Sequence, residues 1–133
     1  MTRMILAASV LMLASPLQAQ DSTKAVCDTA ETTVAMRQCA SRELESARRD
    51  LDRYLSEARR VAGNRAMVDS SQVAWQRYRD LACKAAAAEY EGGSMQPLVV
   101  LSCLLDLTRE RTRHLYDGQL RMSDTALPEP KPK

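Results

Sequence analysis

Nine residues, WQRYRDLAC, bring together the single tryptophan, Trp75, with Tyr78, Arg79, Asp80 and Cys83. An aromatic face beside a guanidinium, a carboxylate and a thiol could hold a ligand, move a proton or attack an electrophile. Each of the two catalytic options needs a second group in fixed register. Asp80 has no histidine or further acid at helical spacing beside it, and the lone His114 would fold back opposite Gln72, which makes no base–orienter pair. Ser70 and Ser71 stand in no nucleophile setting, and EGGSM at 91–95 is too short to cradle phosphate. The reading is therefore a protein without catalytic residues or cofactor.

The four cysteines, Cys27, Cys39, Cys83 and Cys103, include no CxxC pair and have one histidine for company, which argues against zinc. The chain opens with MTRMILAASVLMLASPLQAQ: a positive Arg3, an apolar run from Met4 to Ala14, and a small residue at Ala19. That run is too short to span a bilayer and reads as a signal peptide over 1–19, cleaved after Ala19. No cysteine stands at the cleavage point to take a lipid. Export to the periplasm and an even cysteine count in a small domain predict two disulfides.

What must position these residues is helical. Between Ala25 and Gly118 there is one proline, Pro97, and long stretches of Ala, Leu, Arg, Glu and Gln. A first apolar stripe runs through Leu44, Ala47, Leu51, Tyr54 or Leu55, Ala58 and Val61, stopping at Gly63-Asn64. A second takes Val68, Trp75, Tyr78, Ala82, Ala86 and Tyr90, with Ala85 and Glu89 as alternatives at its margin, and ends at EGGS. A third starts near Pro97, a residue tolerated in the first turn, places Leu101, Leu104 or Leu105, Thr108 and Leu115 inward, and stops at Asp117-Gly118. Short connections make neighbours antiparallel. The expected fold is all-α: an antiparallel three-helix bundle over 26–118 with a short N-terminal helical segment. The glycine hinges weigh against a long coiled-coil dimer. Residues 20–25 are expected to be flexible. The tail over 119–133, ending ALPEPKPK, is expected to be extended and mobile.

Geometry then pairs the cysteines. Cys83 lies ten positions before Gly93 and Cys103 ten after it, so a fold-back at Gly92-Gly93-Ser94 sets them level. Cys27 and Cys39 remain. On one continuous helix they would be about 18 Å apart, beyond disulfide reach, so a break must separate them, with Thr32 or Thr33 capping the helix that follows. The same fold-back brings Arg111 near Trp75, where a guanidinium could stack on the indole. On the second helix the aromatics are expected to face inward, with Arg79 pairing an acid or covering apolar surface with its stem.

The arginine pairs at 48–49 and 59–60 and the run RERTR at 109–113 are interleaved with acids, and the formal net charge is only +2. This is a mixed, solvated surface, which together with export excludes nucleic acid as a partner. Membrane insertion is excluded too, because the apolar stripes are committed to packing.

With CDTAETTVAMRQC at 27–39, LDRY at 51–54, QVAWQRYRDLAC at 72–83, the GGS hinge at 92–94 and CLLDLTRERTRHL at 103–115, the chain resembles the lysozyme inhibitor LprI-like family over about residues 26–118. The resemblance implies a disulfide-bonded helical domain outside the cytoplasm. It marks Gln72, Trp75, Arg79, Asp80, Thr108 and Arg111 as motif or interaction residues. The function expected is non-enzymatic protein binding in the cell envelope by a monomer or weak dimer. Inhibition of lysozyme is the alternative, with the exposed loop from Glu91 to Met95 as the segment that could enter the glycosidase cleft.

Overall fold

The computed structural model describes Cys27 and residues 29–130; the signal-peptide expectation and the flexible start at 20–25 lie outside these residues. Three helices make up the body: α1 (Thr33–Val61), α2 (Arg65–Ala86) and α3 (Gln96–Leu115). Among the described residues there is no strand, and no helix is long and apolar enough to cross a membrane.

Helix α1 buries Cys39, Leu44, Ala47, Leu51, Tyr54, Leu55 and Ala58, the three- and four-residue spacing of a single stripe. Thr32 caps it, its Oγ1 accepting from the Ala35 N–H at 3.1 Å. The chain bends just before this, where the Ala30 N–H donates to the Cys27 carbonyl, and the bend carries Cys27 back to Cys39 with 5.4 Å between their Cα atoms. Helix α2 starts at its own cap, the Asn64 side chain accepting from Met67 N–H at 3.1 Å. The second disulfide joins Cys83 of α2 to Cys103 of α3, as the count about Gly93 requires.

Helix α3 is the shared element. It packs along α1 at one flank and along α2 at the other, whereas α1 and α2 meet mainly near their connection. There Arg59 pairs with Asp69 at 2.5 Å. The core accordingly lies between α1 and α3, with Leu44 and Ala47 against Leu105 toward one end. Toward the other end Leu51, Tyr54, Leu55 and Ala58 pack with Val68, Leu115 and Leu120.

Two expectations are corrected here. On α2 the buried positions are Val68, Gln72 and Cys83, while Tyr78 is 59% exposed and Tyr90 46% exposed. Ala86 is exposed as well. With only α3 to pack against over most of its length, α2 turns the face carrying Gln72, Trp75, Arg79 and Cys83 inward. Its other apolar stripe is left in solvent.

The second correction concerns the tail. The chain does not leave the bundle at Gly118. It passes through a π-helical turn over Tyr116–Leu120 that buries Leu120, and Leu127 then packs on the main core cluster. Residues 125–130 are extended, as the prolines require, but they lie against α1 and α3. Tyr54 Oη donates to the Pro128 carbonyl at 2.5 Å.

Burial pushes the Tyr54 phenol above 10.0. A phenol raised in the folded state stabilises fully below its unfolded value, and that contribution is lost as pH rises through the folded one. An ultraviolet titration of the four tyrosines should therefore find one ionising late, with the tail loosening in the same step. Simultaneous ionisation of all the tyrosines would show that Tyr54 is not held this way.

Candidate functional site

The motif residues of α2 and α3 meet in one seam. Helical spacing places Gln72, Trp75 and Arg79 on the same face of α2, and the antiparallel register set by Cys83–Cys103 brings Arg111 of α3 level with them. The indole of Trp75 is half-buried against the main core cluster. Two guanidiniums cover its ring, with Arg79 Cζ 5.0 Å and Arg111 Cζ 6.0 Å from the ring centroid.

Arg111 donates from Nε to Gln72 Oε1 at 3.0 Å and from Nη2 to Ser71 Oγ at 2.8 Å. Ser71 Oγ in turn donates a hydrogen bond to the Val68 carbonyl at 2.8 Å. Desolvation pulls the Arg111 guanidinium below its usual value, and the two neutral acceptors and the indole face are what compensate its charge. Arg79 is pinned by its neighbour, with Nη2 2.7 Å from Asp80 Oδ1. Its side chain is only 17% exposed, whereas that of Asp80 is 63% exposed. Thr108 is fully buried and donates to the Leu104 carbonyl at 2.6 Å, a back-bond that lets a polar side chain sit in a helix seam.

Gln72, Trp75, Arg79 and Arg111 thus form one polar–aromatic clasp between α2 and α3, with Asp80 at its solvent edge. Thr108, under the seam, cannot touch a partner. The clasp offers cation and amide hydrogen bonding over an aromatic face, and it places no acid beside a histidine. His114 has Glu110 as its nearest acid, at 3.9 Å. Among the described residues no group of three His, Cys, Asp or Glu side chains could hold a metal ion.

Two surfaces flank the clasp. The solvent face of α2 carries Val73, Ala74, Arg77, Tyr78 and Leu81 along a shallow groove of about 710 Å³. The other is the tip of the α2–α3 hairpin. Here a 3₁₀ turn over Ala88–Tyr90 leads into exposed residues 91–95, and Gly93 N–H donates to the Tyr90 carbonyl at 2.9 Å. Gly92 has a positive φ of 74°, which favours glycine there, and a Cβ on Gly93 would come within 3.2 Å of the Tyr90 carbonyl oxygen, a tight approach. The tip presents Glu89, Tyr90, Glu91 and Met95 to solvent, with the Cys83–Cys103 crosslink behind it.

Sequence reasoning missed Ser71 as a partner of Arg111 and placed Tyr90 inward. The signal for Ser71 was its position one residue before Gln72 in the same register.

No solved structure matches the chain. An uncharacterised protein of Rhizobium meliloti (strain 1021) is 45% identical over 56 residues, which cover 42% of this chain and 40% of that protein. The chain therefore aligns with less than half the length of that relative. The family described as lysozyme inhibitor LprI matches residues 24–115, which include both disulfides and every residue of the clasp. The chain belongs to the lysozyme inhibitor LprI family.

Proposed function

We propose that this protein is an exported, non-enzymatic module that works in the periplasm, as a monomer or weak dimer, by binding another protein of the cell envelope. The observation that supports this best is the hairpin tip. It is exposed, carries a tyrosine between two glutamates, and is held by a disulfide and by a turn whose positive φ favours glycine at Gly92. A rigid tip with an aromatic anchor loses little entropy on binding, which is what a small contact needs to be tight. A photoreactive residue in place of Met95, at the same tip, should capture one partner in cells, whereas the same residue in place of the exposed Glu45 on α1 should not. Identical captures from both positions would end the reading.

Family membership favours a specific target, lysozyme. The tip suits that target in shape and charge, because a short stapled turn can enter a glycosidase cleft. Glu89 and Glu91 belong to no ion pair among the described residues. On this reading the oxidised protein suppresses lysozyme clearing of a cell-wall suspension. Tyr90→Ala should cost about 2 kcal/mol of binding, roughly a thirtyfold rise in the amount needed. Absence of suppression at large excess, against both animal and bacterial-type lysozymes, would exclude lysozyme and leave the broader reading standing.

A further inference from the structure

The C-terminal segment occupies a groove of its own, away from the hairpin tip. After the turn at 121–124 the chain runs back along α1 and α3, antiparallel to both. Tyr54, which meets the tail through its hydroxyl, packs edge-on with Tyr116, their ring centroids 6.4 Å apart and their planes at 67°, while Pro128 and Glu129 keep an exposed outer side. Tyr54 Oη donates to the Pro128 carbonyl at 2.5 Å. Arg113 Nη1 pairs with Glu129 Oε1 at 2.7 Å, and its Nη2 donates to the Pro130 carbonyl.

These are the terms by which extended proline-rich segments are recognised. Such a segment has few backbone donors to satisfy, holds its conformation at low entropy cost, and offers carbonyls to donors on the rim of an aromatic groove. Here both proline carbonyls accept from side chains, and the residue between them is an acid facing an arginine.

We propose that the groove between α1 and the end of α3 is a recognition site for an extended Pro-Glu-Pro-type segment of another protein, and that Pro128–Glu129–Pro130 is its built-in competitor. None of the contacts of these three residues depends on their being joined to α3. The linker is a short turn, so the tail faces its groove at an effective concentration on the order of 1 mM. For the docked tail to prevail, the intrinsic dissociation constant of the motif must lie below about 1 mM. An incoming segment must exceed that local concentration or bring further contacts, so the tail sets the threshold for access.

The test uses the full-length chain with P128G/E129S/P130G, which removes the Glu129 carboxylate and the proline-imposed extended form that presents the two carbonyls, and keeps Leu127 and the chain length, titrated with a labelled synthetic peptide PEPKPK. The emptied variant should bind it saturably with a dissociation constant below about 1 mM, and the unaltered chain more weakly by one plus the ratio of the effective concentration to that constant, at least about twofold. Adding Tyr54→Phe to the emptied variant should weaken binding about fivefold, and adding Arg113→Ala tenfold or more. A folded variant, checked by circular dichroism, that shows no saturation at several millimolar peptide would overturn the site. Equal binding by the emptied and unaltered chains would overturn the competitor role. Should the emptied variant misfold, relaxation of the Glu129 amide in the unaltered chain decides the matter. It should be rigid and loosened by Tyr54→Phe; motion as fast as that of the free peptide PEPKPK overturns the proposal.

Discussion

Replacing Cys83 and Cys103 with serine is expected to lower the unfolding free energy by about 3 kcal/mol and the melting temperature by roughly 15 °C. The crosslink closes a loop of 20 residues, and loop-closure entropy alone supplies about that much. Its weight is greater here because α2 has little else. Val68, Gln72 and Cys83 are its only fully buried side chains, and it meets α1 mainly near their connection. The loss should be unevenly distributed. Hydrogen exchange in the double-serine variant should quicken most along α2 and at the hairpin tip, and least where α1 packs on α3. A uniform rise over all three helices would mean that α2 is held as firmly as the others without the crosslink. If the tip is the binding element, the same variant loses binding out of proportion to its loss of stability.

Trp75→Ala should cost about 3 kcal/mol of stability, the lower end for removal of a large aromatic side chain, because the indole is only half-buried. The substitution takes away the surface that Arg79 and Arg111 cover, and leaves Arg111, already partly desolvated, with Gln72 and Ser71 alone. Trp75→Phe keeps an aromatic face for both guanidiniums and should lose much less, about 1 kcal/mol. Urea unfolding of the two variants separates a packing role from a contact role. An alanine variant within 0.5 kcal/mol of the unaltered protein would show that the indole serves a partner instead.

Much of the scaffold could be read from residue order, for reasons that the structure makes plain. The stripe of α1 was legible because one face of that helix is buried along its length, so its period is uncontaminated. The Cys83–Cys103 pairing and the approach of Arg111 to Trp75 followed from counting about Gly93, since both arms are regular helix. The phase of α2 was not legible. That helix is apolar on two faces, and Tyr78 and Leu81 on the outer one look as core-like as Trp75 on the inner. Periodicity cannot tell which of two stripes has a neighbour. Nor could the docking of the tail be foreseen. Its partners, Tyr54 and Arg113, are 59 residues apart in the chain and become one groove only after α1 and α3 have packed. Within the clasp, only the packing assigns the motif residues their parts: Thr108 sealed beneath, Gln72 as acceptor, Asp80 at the edge.

The two disulfides join the first cysteine to the second and the third to the fourth. A chain that threads through a membrane from its N-terminus meets an oxidising compartment one cysteine at a time. With this connectivity, Cys27 and Cys39 can be sealed before Cys83 has crossed, and no wrong pair has to be opened afterwards. Refolding from the fully reduced chain has no such ordering and must choose among three connectivities. On the proposed export, the protein should therefore depend on a disulfide isomerase less when it is made in the cell than when it is refolded, and a strain lacking the isomerase but retaining the oxidase should still accumulate it.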